Sequence, residues 1–245
     1  MEPFLTRDGK YLLFNNRNEP ASKTDLHLAE RIDPVTFRYL GPLKGVNTND
    51  LDGVPSVDDA GWLYWTATHR YFQTYGVIHR TRFDGLASAG GTLVPGLARG
   101  LGWLQFDAEI SPDGLRLYLA EGWFGEGRVD KADLHIARRD GNAFRIDRED
   151  PTMAAVNTDA QEFAPAISRD GRVLYFTRWQ IGGSPPAIWR ATRASRDDPF
   201  DAPERLPIPG FVEAPSLSED GRLLYFHRRV GDRYQLHVYA LEAER

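Results

Sequence analysis

The sequence predicts an all-β protein: a single five-bladed β-propeller of antiparallel sheets. Three observations lead there. A phrase of strand, Asp-Gly turn and second strand occurs five times, with turn glycines Gly9, Gly61, Gly114, Gly171 and Gly221 spaced by 52, 53, 57 and 50 residues. A repeat near 50 residues holding three or four strands is the signature of propeller blades. Aromatic residues make up 12% of the 245-residue chain, in keeping with sheets packed face to face.

Each repeat has the same order of elements. Six residues before the turn glycines stand Pro3, Pro55, Ala108, Pro165 and Pro215, which mark the first strands. Asp8, Asp113, Asp170 and Asp220 precede four of the glycines, and Ala60 stands in that place in the second repeat, after Asp58 and Asp59. Asp-Gly predicts a two-residue hairpin turn with positive φ at both residues. The regular recurrence of these aspartates assigns them to turn formation. Apolar second strands follow at 11–14, 62–65, 117–119, 174–176 and 224–226, and third strands at 25–29, 77–80, 133–137, 187–191 and 235–239. Weaker fourth strands fit near 37–39, 92–94, 144–146 and 204–206. The blades then span about 1–45, 46–98, 99–152, 153–207 and 208–245, all within one domain. The last blade is expected to hold three strands and to close by side-chain packing against the first. A single blade cannot bury both its faces, so neighbours must stack around an axis.

With these residues in view, the chain resembles the TolB-like, PD-type β-propeller repeats, whose phrase is close to Pro-x-x-Ser-x-Asp-Gly-x-x-Leu-Tyr-Phe. Ile110-Ser111-Pro112-Asp113-Gly114 and Leu217-Ser218-Glu219-Asp220-Gly221 fit it best, and the second repeat, with Val57-Asp58, fits worst. The resemblance covers nearly the whole chain. It implies a propeller and names no reaction, because such repeats serve binding proteins, scaffolds and enzymes alike.

Composition narrows the function classes. A net charge of −5 gives no basic stripe for nucleic acid. The chain has no cysteine, which excludes disulfides and thiolate chemistry. No apolar run approaches membrane-spanning length. Met1-Glu2-Pro3-Phe4 already belongs to a blade, so no signal peptide is expected, and a soluble, cytoplasmic monomer is the default expectation, with a secreted or periplasmic protein the alternative if a leader has been removed.

The placement of a site follows from loop lengths. The Asp-Gly turns are short and uniform, whereas the connections on the other face vary, and function tends to sit on variable loops held by a rigid scaffold. First strands line the channel of a propeller. Their starts carry Glu2, Asp52, Asp107, Glu109, Glu162 and Glu213, so every blade offers a carboxylate near one mouth. Second-strand ends on that face offer Arg17, His69, Arg70, Trp123, Arg178, Trp179 and Arg229. Convergence of these groups predicts a site for a small polar ligand, a carbohydrate or an organic anion. Asp52, Asp107, Glu162 and Glu213 are the candidates for acid–base catalysis, on a glycoside by architectural analogy with five-bladed arabinanase- and levansucrase-like enzymes. On this reading Glu162→Gln leaves folding intact and abolishes binding. An interaction platform built on Trp103, Trp123 and Trp179 is the third alternative. No cofactor is expected. Oxygens from several blades could hold calcium, but no Asp-x-Asp-x-Asp-Gly loop is present. His27, His135 and His237 share one third-strand position with Trp189, which marks packing rather than metal ligation. His227 follows a second strand and is a better site candidate.

Overall fold

The computed structural model describes residues 1–16, 24–85, 90–125, 127 and 129–241. Blade one comprises β1 (Phe4–Leu5), β2 (Tyr11–Asn15), β3 (Leu26–Arg31) and β4 (Phe37–Pro42), and blade two β5 (Asp52–Val57), β6 (Trp62–Ala67), β7 (Ile78–Arg82) and β8 (Thr92–Leu93). Blade three comprises β9 (Trp103–Ile110), β10 (Arg116–Trp123), β11 (Ala132–Asp140) and β12 (Ala143–Ile146). Blade four comprises β13 (Gln161–Ile167), β14 (Val173–Trp179), β15 (Ala187–Thr192) and β16 (Glu204–Arg205). Among the described residues blade five comprises β17 (Val212–Leu217), β18 (Leu223–Val230) and β19 (Arg233–Ala240), a three-stranded sheet as expected. Within each blade consecutive strands pair antiparallel. A parallel bridge, Ala132 to Gln161, joins blades three and four into one eight-stranded sheet. Among the described residues no helix is long and apolar enough to cross a membrane.

The ring closes through its first strands. β1 touches β5 and β17, β5 touches β9, β9 touches β13, and β13 touches β17. One link recurs along this inner circle. The Ile110 amide donates to Ser56 Oγ (2.9 Å), the Ile167 amide to Glu109 Oε1 (3.0 Å) and the Leu5 amide to Ser216 Oγ (3.2 Å), the last joining blade five to blade one. Each of the five seams between blades holds its own apolar cluster. The closing seam is the smallest, with Leu5, Leu12 and Tyr225 buried and Phe14, Phe37, Leu223 and Val238 packed against them. Arginines at third-strand ends tie two of these seams a second time. Arg139 donates to Gly114 O and to the Tyr64 hydroxyl (2.6 and 2.7 Å), and Arg193 to Gly171 O and the Tyr118 hydroxyl (both 2.8 Å).

The turns differ from the two-residue hairpin that Asp-Gly suggests. In the third repeat the Gly114 amide bonds to Ser111 O (2.8 Å), so the turn runs over four residues, Ser111 to Gly114. Only its glycine has positive φ, at +70°. Ser111 Oγ donates to Asp113 Oδ1 (2.6 Å) and accepts from the Arg116 amide (2.9 Å), and Asp113 Oδ1 accepts from the Leu115 amide (3.0 Å). The same network recurs at Thr6/Asp8, Ser168/Asp170 and Ser218/Asp220. In the second repeat Asp58 stands at the serine position and accepts directly from the Trp62 amide (2.8 Å). Serine and aspartate thus saturate the turn amides, and the glycine supplies the left-handed corner. Burial raises the Asp170 carboxyl, but hydrogen bonds from Ser168 and Arg172 outweigh it, and the pKa falls to about 2. At Gly171, φ is +74° and an added Cβ would lie 2.8 Å from Arg196 Nε. Gly171→Val is therefore expected to cost about 1–3 kcal/mol of stability. A melting temperature equal to the parent's would refute the strained-corner assignment.

The repeated third-strand position is a packing position. His27 stacks on Phe14 and His237 on Phe226 (5.7 and 5.8 Å, both 23°), and His79, a member that the sequence grouping missed, lies against Trp65 (5.8 Å).

Candidate functional site

A bulge in each first strand shapes the channel mouth. Glu2, Val54, Asp107, Ala164 and Ala214 occupy one repeat position, and all five have left-handed φ between 48° and 55°. In blades two to five the pairing with the second strand slips at this point. A bulge leaves one residue out of the ladder and re-aims its side chain. Four of the five residues precede proline, which has no amide hydrogen to give to a ladder and is at home in a bulge. That recurrent proline is the sequence signal for the bulge. These five residues, with the prolines or alanine that follow them, line an axial cavity of about 20 Å³, room for about one water molecule.

Two acidic side chains, Glu2 and Asp107, stand on this ring, and Glu213 lies one residue before its fifth member. Burial pushes the Asp107 carboxyl well above the ordinary carboxylate range, and the charges of Glu2 and Glu213 push it further. Burial likewise raises Glu2. His227, almost fully buried, fixes the geometry on the blade-five side. Its Nδ1 lies 3.1 Å from the Glu2 amide, a donor, so Nδ1 accepts; the proton is then on Nε2, which donates to Glu213 Oε2 at 2.9 Å. The equivalent residue in blade four is Thr177, whose Oγ1 accepts from the Ala214 amide (3.0 Å). Holding the next blade's bulge is thus common to His227 and Thr177, and the bond to Glu213 is particular to His227. An aromatic rank leads outward from there: Tyr234 meets His227 edge-on (5.1 Å), Phe211 meets Tyr234 (6.0 Å) and Trp179 meets Phe211 (6.5 Å).

The channel is shut at the turn end. Arg7 of blade one donates to Glu109 Oε1 and to Ile110 O of blade three, both at 2.9 Å. Blades one and three are not neighbours in the ring, so this pair spans the axis. The side chains are only 11% and 7% exposed. The mouth is therefore the entrance to a blind well.

The expected funnel of six carboxylates does not form. Glu2, Asp107 and Glu213 come together, whereas Glu109 lies deeper, paired with Arg7. Asp52 and Glu162 are fully buried and saturated. Asp52 accepts from the Thr48 amide and hydroxyl (2.5 and 2.7 Å) and from the Trp65 indole (3.1 Å). Glu162 accepts from the Thr158 amide and hydroxyl (3.1 and 2.6 Å) and from Arg178 Nε (2.7 Å). Both lie in the same local phrase, Asn-Thr followed four residues on by the acid. The asparagine, Asn47 or Asn157, bonds to the backbone of Leu26 or Leu134 in the third strand of the preceding blade. These two acids pin the mouth loops. Accordingly, Glu162→Gln is expected to weaken a buried charge-assisted pair and cost about 1–3 kcal/mol of stability, leaving the axial well open. Thermal melts and ligand titration of that variant separate the two effects.

The other sequence candidates are spread around the rim. Arg178 is engaged by Glu162 and by Val156 O (2.6 Å). Arg229 lies over Phe211 at 5.8 Å and donates to Gly231 O (3.2 Å). His69 and Arg70 are exposed, His69 against His79 (5.0 Å) and Arg70 at the start of a short helix, α1 (Tyr71–Thr74). Trp123 packs on Trp103 (5.5 Å). Arg17 lies outside the described residues. Among the described residues no group of three or more histidine and acidic side chains is arranged to hold a metal ion.

No protein-family model matches the chain, and no curated protein does. Solved structures do. TolB from Acinetobacter baumannii superposes with a TM-score of 0.50 at 18% identity, over 95% of this chain and 50% of that one. A thermostable family-43 glycoside hydrolase gives 0.64 at 12% identity, over 99% of this chain and 89% of that one. The endo-1,4-beta-xylanase from Bacteroides thetaiotaomicron gives 0.60 at 11% identity, over 98% and 89%. The chain spans half the length of the Acinetobacter TolB. At such identities the likeness is one of fold: the chain has the all-β propeller architecture shared by TolB and by glycoside hydrolases.

Proposed function

We propose that the protein binds a hydroxyl-rich small molecule, a carbohydrate, across the mouth of the axial well, with one of its hydroxyls seated in the small cavity below. The observation that carries this reading is the meeting of Glu2, Asp107 and Glu213 from three blades around one blind opening. Carboxyl groups there present acceptors, and Asp107 in its neutral form a donor, to ligand hydroxyls, while the Tyr234–Phe211–Trp179 rank offers apolar ring surface at the rim. The guanidiniums that would favour an organic anion at the centre are engaged elsewhere, Arg178 with Glu162 and Arg7 with Glu109. The Ser-x-Asp-Gly turn phrase, together with the fold shared with TolB, also supports kinship with the TolB-like repeats.

One observation favours a second reading, glycoside hydrolysis. Burial favours the protonated form of Asp107, and Glu213, on a different blade from Asp107, is oriented as an acceptor by His227, a donor and an acceptor of the kind that such chemistry needs. Calorimetric titration with a panel of neutral mono- and oligosaccharides tests binding, and release of nitrophenol from aryl glycosides tests turnover. Asp107→Asn is expected to weaken sugar binding at least about tenfold, the worth of one well-buried hydrogen bond. Equal affinity in parent and variant, or no binding across the panel, would remove the well as the site.

A further inference from the structure

We infer that the mouth of blade three carries a separate subsite for a carboxylate on a hydroxylated ligand, so that the preferred ligand is a sugar acid; this takes the carbohydrate reading above as its starting point. Gln105 occupies in β9 the place that Asp52 has in β5 and Glu162 in β13, for Gln105 pairs across to Glu121 as Glu162 pairs to Arg178. In blades two and four a threonine four residues earlier donates to that side chain. In blade three the place is taken by Leu101, which is 59% exposed and brings no hydroxyl. Gln105 is 1% exposed. Its Nε2 donates to Glu121 Oε2 (2.8 Å), and its Oε1 has no hydrogen-bond partner among the described residues. A buried acceptor is thus left waiting for a donor where its counterparts in two other blades have one.

The surroundings specify the rest of the ligand. Glu121 accepts from Arg99 Nη1 (2.9 Å) and, through two bonds, from Arg148 (2.7 and 2.6 Å). Two guanidiniums on one carboxylate leave one positive charge over. Arg99 and Arg148 are 39% and 33% exposed in their side chains and keep further N–H donors facing outward. Arg99 lies 3.5 Å over the Trp103 ring, which fixes its plane, and Trp123 beside it is 47% exposed. A hydroxyl answers the Gln105 acceptor, a carboxylate answers the surplus guanidinium in the fork geometry that arginine favours, and the C–H face of a sugar ring answers the indoles. A neutral sugar meets two of these demands and a simple carboxylate one.

The test titrates the full chain with sodium D-glucuronate, D-glucose and sodium acetate, read by tryptophan fluorescence and calorimetry. Glucuronate is expected to bind at least about tenfold more tightly than either of the others, as one charge-assisted bond would provide. In Arg99→Gln the preference for glucuronate over glucose disappears, and in Trp123→Ala, a change on the surface, affinity for glucuronate falls without any change of charge. Glucose binding as tightly as glucuronate, acetate matching glucuronate, or a preference that survives Arg99→Gln would each overturn the subsite. Failure of the axial reading shows separately, as unchanged glucose affinity in Asp107→Asn.

Discussion

Phe176→Ala is expected to lower stability by about 3–5 kcal/mol. Phe176 is fully buried in the seam between blades three and four, where it shares a cluster with Tyr118, Leu134, Ile136, Met153, Ile167 and Leu174. Truncation removes the ring from its apolar surroundings and leaves a cavity that the rigid sheets on either side cannot collapse to fill. With a total stability of about 5–15 kcal/mol for a domain, such a loss consumes a large part of the margin. At about 2–4 °C per kcal/mol for a chain of this size, the melting temperature drops by roughly 6–20 °C. A shift below about 3 °C in a thermal scan would show that the seam can repack, and the picture of a wedge-tight ring would fail with it.

The second large effect is pH-dependent and concerns Asp107. Its carboxyl is raised well above the ordinary 3.8 by burial and by the nearby charges of Glu2 and Glu213. The folded protein therefore keeps this proton to higher pH than the unfolded chain does. Stability from this group is complete below about 3.8 and is lost as pH rises through the folded-state value, because there the buried carboxyl must ionise. An asparagine in its place carries no such penalty, being close in shape to the neutral acid. Asp107→Asn is expected to stabilise the protein by about 1–3 kcal/mol at pH 8, while the gap between parent and variant closes near pH 4. On the carbohydrate reading the same substitution would also weaken sugar binding, which sets stability against binding at this position. Melting curves from pH 4 to 8 decide the matter. An asparagine variant that is less stable than the parent at pH 8 and matches it at pH 4 would reverse the sign and place a cation beside Asp107.

Local chemistry makes the blades legible, and long-range geometry hides the site. Asp-Gly, the apolar second strands and the third-strand histidines are written within a few residues of one another, so five blades and a three-stranded fifth can be read from them. The turn type escapes a reading of Asp-Gly without the serine before it: Ser111, Ser168 and Ser218 extend the turn to four residues. Asp52 and Glu162 start strands and so look like mouth acids. Thr48 and Thr158, four residues upstream, are the sign that both are capped and buried. Nothing local announces that Arg7 meets Glu109 from 102 residues away, since that contact exists only once the ring has closed. The convergence of Glu2 and Glu213 is of the same kind, at opposite ends of the chain and brought together by the last seam.

The Arg7–Glu109 crossing has a consequence for how a guest can occupy the axis. A tunnel would let a polymer thread through and slide, whereas a dead end with room for about one water takes no more than a single hydroxyl of a guest. On the carbohydrate reading, a glycan would then lie across the doorway, with one hydroxyl directed at Asp107 and its rings over the aromatic rim.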